Sequence, residues 1–160
     1  MQKYVLDASA VLCGKDIWLD GAVYVPHSVL EELGRGRYRQ KVENLMGIKI
    51  SVVSPSKESK EIVRKNAEKT GDLLRLSAQD IDVLALALEL DAIILTDDYS
   101  IQNVAVHMGI QYHGVAEHGI KAEYRWEYVC MGCRRRYRRA MKVCPICGAS
   151  ITTKRRKSDL

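Results

Sequence analysis

Long apolar segments are missing from the sequence. None of its 160 residues lies in an uninterrupted apolar run of about 18 residues, the length needed to cross a membrane. The first residues also lack a charged head followed by a long apolar stretch, as a secretion signal would require. We therefore expect a soluble, cytoplasmic protein with no membrane partner. With 47% hydrophobic residues, the chain can bury one core and carry a small appendage.

Signals for several enzyme classes are missing as well. The four histidines lack the spacing of metal ligands, and no Ser–His–Asp pattern for nucleophilic catalysis is present. Cys13 is the one cysteine before residue 122, and we expect it to be a small buried side chain. We also expect no small organic cofactor.

Charge divides the chain near residue 122. Residues 1–122 hold 14 Lys and Arg against 17 Asp and Glu, whereas residues 123–160 hold 11 against 3. A basic module beside an acidic one favours a polyanionic partner, which the basic module binds and the acidic module modifies chemically. The alternative is a basic tail that only improves solubility.

Four of the five cysteines form two Cys-x2-Cys pairs within residues 130–148, separated by ten residues. Each pair lies in a tight turn, so two thiolates from each turn can bind one tetrahedral zinc ion. Disulfides are the competing interpretation, but the missing secretion signal argues against them. Because four sulfur ligands leave no position for water, the predicted zinc site is structural. Its ligands are Cys130, Cys133, Cys144 and Cys147.

Residues 1–122 alternate between predicted strands and helices. The strands are expected at 3–7, 21–26, 48–56 and 92–96, with a final segment at 109–114, and the helices at 27–36, 59–71, 77–90 and 101–108. This order predicts an α/β fold in which helices flank a parallel sheet. A small zinc ribbon at 123–152 and a basic tail at 153–160 are expected to follow.

Acidic residues follow two of the predicted strands, where open α/β sheets bind ligands. Asp7 ends the first strand, and the adjacent Asp97 and Asp98 follow the strand at 92–96. Such neighbours repel each other, so their placement requires an explanation. Ser9 is expected either to hydrogen-bond a carboxylate or only to form a turn.

The helix at 77–90 carries a third candidate. At about 100° per residue, Asp80 falls among apolar residues, whereas Asp82 and Glu89 fall together on the predicted solvent face. A capping box between Ser77 and Asp80 is an alternative explanation for Asp80. The two explanations are compatible, because the first turn of this helix would face the strand ends.

On the helix at 27–36, Glu32 flanks the face that packs on the sheet, whereas Glu31 points away from it. Carboxylates gathered in one pocket repel each other, and a divalent cation with oxygen ligands relieves that repulsion. Mg²⁺ or Mn²⁺ can activate water and neutralise phosphate oxygens, which is the chemistry of phosphodiester cleavage. The predicted catalytic site consists of Asp7, Glu32, Asp80, Asp97 and Asp98.

Four segments resemble the acidic signatures of the PIN-domain ribonucleases: VLDASA, VPHSVLEEL, SAQDIDVLALALEL and LTDDYSIQN. The resemblance implies that Asp7, Glu32 and Asp80 are the first three acids and that the fourth lies within Asp97–Asp98. It implies that Mn²⁺ or Mg²⁺ is bound by the aspartates, with Glu32 as a ligand or a water-orienting base. One departure is Ser100, where family members often carry a further acid.

Together with the cysteine pairs, these signatures resemble the archaeal NIN-one-binding family of endonucleases over essentially the whole chain. The resemblance implies cleavage of precursor small-subunit ribosomal RNA at its 3′ end, within the pre-ribosomal particle. A toxin-type PIN ribonuclease is an alternative of the same class. A non-catalytic RNA-binding scaffold is the alternative from another class.

The segment RRRYRR between the cysteine pairs is the predicted RNA-binding site. Its arginines can neutralise phosphates, and its tyrosine can stack on an unpaired base or pack against the ribbon instead. A solvated loop is the alternative for the whole segment. The predicted residues are Arg134, Arg135, Arg136, Tyr137, Arg138 and Arg139.

Overall fold

The computed structural model describes residues 1–12, 19, 21–34, 50–115 and 124–157. The prediction for Cys13 therefore lies outside the described residues. The first part of the chain contains β1 (Gln2–Leu6), α1 (Ala8–Leu12), β2 (Gly21–Pro26), α2 (His27–Leu33), β3 (Ile50–Val53), α3 (Lys57–Thr70), α4 (Ala78–Leu90), β4 (Ile93–Leu95), α5 (Tyr99–Met108) and β5 (Tyr112–His113). The second part contains β6 (Tyr124–Cys130), β7 (Arg136–Tyr137) and β8 (Ile151–Lys157). None of the helices described combines the length and the apolar character needed to span a bilayer.

The first sheet is parallel throughout, with the strand order β3-β2-β1-β4-β5. Strand β1 lies at its centre, so the chain winds outward to β3 on one side and then returns to β4 on the other. At such a switch point the loops after the two central strands diverge and leave a crevice for a ligand. The predicted α/β fold, a parallel sheet flanked by helices, is confirmed.

Local chemistry explains the helix boundaries. Helix α2 follows Pro26, and α3 ends at Gly71, whose left-handed φ of 83° suits glycine, as predicted. Helix α1 was not predicted. Its five residues begin directly after Asp7, whose carbonyl accepts hydrogen bonds from the Ala10 and Val11 N–H groups. A helix of this length is too short to show an apolar period.

Helix α4 is buried on nearly every side. It contacts α2, α3, α5 and the strands β1, β2 and β4, and each of its residues from Ile81 to Ala87 is buried. The predicted solvent face through Asp82 is therefore wrong, although Glu89 is exposed as expected. The Asp82 carboxylate accepts a hydrogen bond from Ser28 Oγ at 2.7 Å and pairs with Lys60 Nζ at 2.7 Å.

The second sheet is antiparallel, with the order β7-β6-β8. Strand β8 pairs with β6 from Ile151 opposite Cys130 to Lys157 opposite Tyr124. Residues 153–157, which the sequence assigned to the basic tail, thus extend the sheet of the ribbon. This pairing is made by backbone groups, so the basic composition of these residues gave no signal for it in the sequence.

Candidate active site and cysteine cluster

Asp7 lies at the carboxyl end of β1, beside the end of β4. Its side chain is 5% exposed, and its backbone N–H donates to Leu95 O at 3.1 Å. The carboxylate accepts hydrogen bonds from the Ala8 N–H to Oδ1 at 2.6 Å, and from Ser9 Oγ and Thr96 Oγ1 to Oδ2, both at 2.8 Å. These donors compensate for the burial of the charge, and Oδ1 keeps a lone pair for a cation.

The hydroxyls of Ser9 and Thr96 also connect Asp7 to the aspartate pair. The Asp97 N–H donates to Ser9 Oγ and the Asp98 N–H donates to Thr96 Oγ1, both at 3.0 Å. Of the two roles considered for Ser9, the structure shows the hydrogen bond to a carboxylate. The sequence reasoning missed Thr96, which is completely buried. Its position between a buried strand and two acids was the available signal.

The two adjacent carboxylates bind different partners. Asp98 Oδ1 accepts hydrogen bonds from the N–H groups of Ser100 at 2.7 Å and Ile101 at 3.3 Å, which makes Asp98 the N-cap of α5. Asp97 Oδ1 accepts a hydrogen bond from the Val115 N–H at 2.7 Å. Hydrogen bonds within the protein thus hold both side chains, whereas the sequence argument relied on a metal alone.

Asp80 carries its carboxylate in the first turn of α4. Oδ2 accepts a hydrogen bond from the Ser77 N–H at 2.6 Å, and Ser77 Oγ accepts one from the Asp80 N–H at 3.2 Å, which is the expected capping box. Burial raises the pKa of Asp80; the hydrogen bonds from Ser77 oppose this rise, and the charges of Asp7 and Asp98 add to it. Asp80 is therefore near enough to both Asp7 and Asp98 to be repelled by their charges.

Glu32 is exposed in the last turn of α2, as is Glu31, which lies 3.7 Å from His27 Nδ1. Burial therefore does not distinguish the two glutamates, and a catalytic role for Glu32 stays a prediction. Among the described residues, no three acids bring ligand atoms within 4.8 Å of one another. A Mg²⁺ ion binds through one or two carboxylates and keeps several waters, so this wider spacing is compatible with such an ion.

The four cysteines of the ribbon do converge, with their sulfur atoms within 4.8 Å of one another. The sulfurs of Cys130 and Cys147 are 3.3 Å apart, and those of Cys133 and Cys144 are 3.7 Å apart. Disulfide sulfurs would be about 2.05 Å apart. A tetrahedral zinc ion with Zn–S bonds of about 2.3 Å requires sulfurs about 3.8 Å apart. The cluster therefore fits a four-cysteine zinc site.

The two turns that carry the cysteines approach closely because Gly132 has no side chain. A Cβ atom at this position would lie 2.9 Å from Ala149 Cβ and 3.1 Å from Cys147 Sγ. The Gly132 N–H also donates to Cys130 Sγ at 3.3 Å. Glycine within the first Cys-x2-Cys pair is thus a packing requirement of the cluster.

Thiol acidity in the cluster is uneven. The hydrogen bond between Tyr137 Oη and Cys144 Sγ, at 3.0 Å, lowers the pKa of Cys144 to about 6 and raises that of Tyr137 to about 12. A backbone hydrogen bond from Arg135 favours the Cys133 thiolate, but burial and the neighbouring sulfurs outweigh it and raise its pKa to about 11. Thiols this close compete for negative charge, and a bound cation would allow all four to ionise.

The predicted RNA-binding segment lies between the two cysteine turns. The Arg136 guanidinium is 3.4 Å from Glu127 Oε2, and Tyr137 is half-buried with its hydroxyl on Cys144. Tyr137 therefore packs within the ribbon, and base stacking by its ring stays a prediction. The arginines of the segment are all exposed: Arg134, Arg135, Arg136, Arg138 and Arg139.

Comparison with known proteins agrees with this arrangement. The family model for the PIN domain of ribonuclease matches residues 4–90, more than half of the chain. The chain belongs to the PIN-domain endoribonucleases. Endoribonuclease Nob1 of Pyrococcus abyssi is 40% identical to it over 152 residues, which cover 93% of this chain and 91% of that protein. The predicted family and the predicted enzyme class are confirmed.

Two further likenesses extend the comparison of this PIN-domain enzyme. Ribonuclease VapC1 of Thermoplasma acidophilum is 42% identical over 148 residues, which cover 92% of this chain and 76% of that protein. An alignment of that extent includes most of the cysteine-bearing module. The crystal structure of VapBC2 from Rickettsia felis, bound to a DNA fragment from their promoter, has a TM-score of 0.50 and 11% identity. It covers 71% of this chain and 98% of that chain, and shows the fold alone.

Proposed function

We propose that this enzyme is a metal-dependent endoribonuclease that cleaves precursor small-subunit ribosomal RNA at its 3′ end, in the cytoplasm and within the pre-ribosomal particle. One observation carries the proposal: the similarity to the Nob1 endoribonucleases covers both the PIN domain and the cysteine-bearing module. Four relatives that align with nearly the whole chain are Nob1 endoribonucleases, which favours a defined ribosomal substrate over general RNA degradation.

We assign the catalytic ion, Mn²⁺ or Mg²⁺, to Asp7, Asp80, Asp97 and Asp98, of which one or two bind it directly and the others through its waters. Glu32 is assigned as a further ligand or a base that orients water. The donor set supports the assignment, because carboxylate oxygens suit these hard cations and the charge repulsion at Asp80 is what a cation relieves. When bound, the ion supplies stabilisation of phosphate oxygens and activation of water.

The protein's own groups orient that site. Ser9 and Thr96 donate to Asp7 Oδ2 and so fix the orientation of that carboxylate, while the N-cap bonds on Asp98 Oδ1 leave Oδ2 for a ligand. Asp80 is oriented in the same way by Ser77, which binds its Oδ2. Asp80 and Asp98 thus each keep one oxygen for the ion and use the other to fix their own position, whereas Asp7 Oδ1 serves both purposes.

A second ion, zinc, is assigned a structural role at Cys130, Cys133, Cys144 and Cys147. Four thiolate ligands saturate a tetrahedral ion and leave no coordination position for substrate or water. The ribbon that this ion stabilises would present the exposed arginines of residues 134–139 to RNA. We expect the RNA affinity of the enzyme to depend on salt for that reason.

The similarity to Ribonuclease VapC1 supports a second candidate, a toxin-type PIN ribonuclease. The zinc ribbon does not argue against this candidate, because the VapC1 alignment includes most of the cysteine-bearing module. The presence of the ribbon therefore does not separate the two candidates. A non-catalytic scaffold is the third candidate, and a measurement of substrate choice separates them all.

The decisive experiment is a cleavage assay on two RNAs, one that spans the 3′ end of the small-subunit rRNA and one unrelated RNA of equal length. We expect one cut near the mature 3′ end, dependent on added Mn²⁺ or Mg²⁺ and absent in the unrelated RNA. Cuts at many positions in both RNAs would support the toxin-type enzyme. No cut with either ion would support the scaffold and contradict the proposal.

A further inference from the structure

The ribbon packs directly against the PIN domain through Trp126. Its Nε1 donates to Asp72 Oδ1 at 2.8 Å, while Asp72 Oδ2 accepts a hydrogen bond from Asn103 Nδ2 at 2.6 Å. Asp72 is 1% exposed, and the Arg75 guanidinium lies 3.5 Å from the centroid of the Trp126 ring. A buried carboxylate is stable only with its donors in place, so this contact holds the two modules in one relative position.

The end of α3 comes unusually close to β6 in this contact. Gly71 adopts a left-handed φ of 83°, and a Cβ there would lie 2.9 Å from Trp126 Cβ and 3.0 Å from Trp126 O. The last turns of α3 and the ribbon therefore form two walls of one groove, which has a volume of about 840 Å³. Its shape is set by the packing of the two modules and does not depend on a bound ligand.

Positive charge lines both walls of this groove. Lys65 and Lys69, one helical turn apart on α3, face Arg138 and Arg139 of the ribbon, and Glu68 is the one acid among the lining residues described. All four cationic side chains are exposed. Leu74, which is 71% exposed, adds an apolar surface beside them. Four cations around one open groove match a chain of phosphates.

We propose that this groove binds the phosphate backbone of the RNA substrate, so that the RNA-binding surface is composite and includes Lys65 and Lys69 of the PIN domain. The inference rests on the proposed function, because it concerns how the same substrate is held. Phosphates neutralised by lysine and arginine release condensed counterions, which provides affinity without sequence preference. The contribution of Lys65 and Lys69 could not be read from the sequence, because residues 1–122 carry a net negative charge.

The groove also lies close to the acidic site along the chain. Six residue steps separate Gly71 from Ser77, the N-cap of α4, so these two positions are at most about 22 Å apart. At 3.4 Å per nucleotide of a helical strand, that distance corresponds to about six nucleotides. RNA bound in the groove would therefore be held a few nucleotides from the carboxylate of Asp80.

The test compares two double variants of the full-length, zinc-loaded protein, Lys65→Ala with Lys69→Ala and, as the matched control, Lys57→Ala with Arg64→Ala. The control removes the same charge from exposed positions of the same helix that do not line the groove. Alanine favours helix, so both variants should fold, and thermal unfolding checks this. Fluorescence anisotropy with a 20-nucleotide single-stranded RNA, without added Mn²⁺ or Mg²⁺, measures affinity as a function of salt.

We expect the groove variant to bind this RNA at least fivefold more weakly and to flatten the plot of log affinity against log salt by about 1.4, the value for two lost phosphate contacts on a single strand. Arg138→Ala with Arg139→Ala should have a similar effect, and the control variant should remain within twofold of the wild type. An unchanged slope for the groove variant, or an equal effect in the control, would overturn the proposal.

Failure of the proposed function gives a different result. If the protein cleaves no RNA with either ion but the groove variant binds RNA more weakly, the composite surface is supported and the nuclease assignment is contradicted. Conversely, if cleavage is specific but the salt slope of the groove variant is unchanged, the nuclease assignment is supported and the groove proposal is contradicted. The second outcome is also the one expected if the groove binds an acidic protein segment instead of RNA.

Discussion

The two modules of this chain differ in what makes them fold. The PIN domain buries a continuous aliphatic core, with strand residues such as Val5 and Ile94 packed against helical residues such as Leu84. Among the described ribbon residues, the buried side chains are few: Tyr128, Val129, Cys130 and Cys144. Two of these four are predicted zinc ligands. We therefore expect the ribbon to need a metal for folding, whereas the PIN domain needs one only for chemistry.

The largest expected effect concerns the chemical role of metal in the PIN domain. Asp80→Asn removes a charge from the pocket that Asp7 and Asp98 share but keeps an acceptor for the Ser77 N–H. We expect single-turnover cleavage to fall at least about a hundredfold, which corresponds to about 2.7 kcal/mol of transition-state stabilisation. Quenched-flow or gel-based measurement at saturating enzyme checks this.

Asp91→Asn is the control for that substitution. Asp91 is exposed at the other end of α4 with a φ of 50°, a conformation that asparagine adopts readily. Asp82 is unsuitable because it is buried against Ser28 and Lys60. Equal losses of activity in the Asp80 and Asp91 variants would contradict the assignment of Asp80.

Removal of a zinc ligand tests whether the ribbon depends on a metal for folding. Cys144→Ser should abolish the stable fold of the ribbon, because the small module loses the bound ion that compensates for its small core. In heteronuclear NMR spectra we expect the resonances of residues 124–157 to lose dispersion while those of residues 50–115 stay largely in place. Global unfolding would instead mean that the two modules form one cooperative unit.

The contact between the modules predicts an intermediate effect. Trp126→Phe keeps an aromatic ring for Arg75 but removes the donor to Asp72, a buried carboxylate. We expect a loss of about 1–3 kcal/mol in the free energy of unfolding, measured by urea denaturation. Arg75→Ala, which removes only the stacked cation, should cost under about 1 kcal/mol. An unchanged free energy of unfolding in the Trp126 variant would show that the hydrogen bond to Asp72 contributes nothing to folding.

The smallest expected effect is on stability without metal. The pKa of Asp80 is raised above its ordinary 3.8, so its contribution to stability is present below that value and is lost as pH rises through the folded-state pKa. Asp80→Asn should therefore raise the melting temperature of the protein without Mn²⁺ or Mg²⁺ by roughly 1–3 °C at pH 7, with no gain near pH 3. Addition of Mn²⁺ should reverse the order, because the wild type gains more from the ion. A lower melting temperature for the variant at pH 7 would contradict this account of Asp80.

Features that depend on short stretches of chain were readable from the sequence. Gly71 ends α3 and the Ser77–Asp80 capping box begins α4, because both depend on backbone groups a few residues away. The spacing of the cysteine pairs likewise predicted the cluster, since each pair needs only its own turn to orient two sulfurs. Apart from the short helix α1, the order of strands and helices in the PIN domain followed from the same local signals.

Tertiary structure alone decided what distant segments do to each other. The helical period left Asp82 on a solvent face, but α3 and α2 cover that face and supply Lys60 and Ser28. Thr96 became the link between Asp7 and Asp98 only because β1 and β4 are neighbours in the sheet. The charge of a segment likewise does not show which lysines adjoin the ribbon. That depends on the packing of Trp126 against Asp72, 54 residues away in the sequence, and no local pattern encodes such a contact.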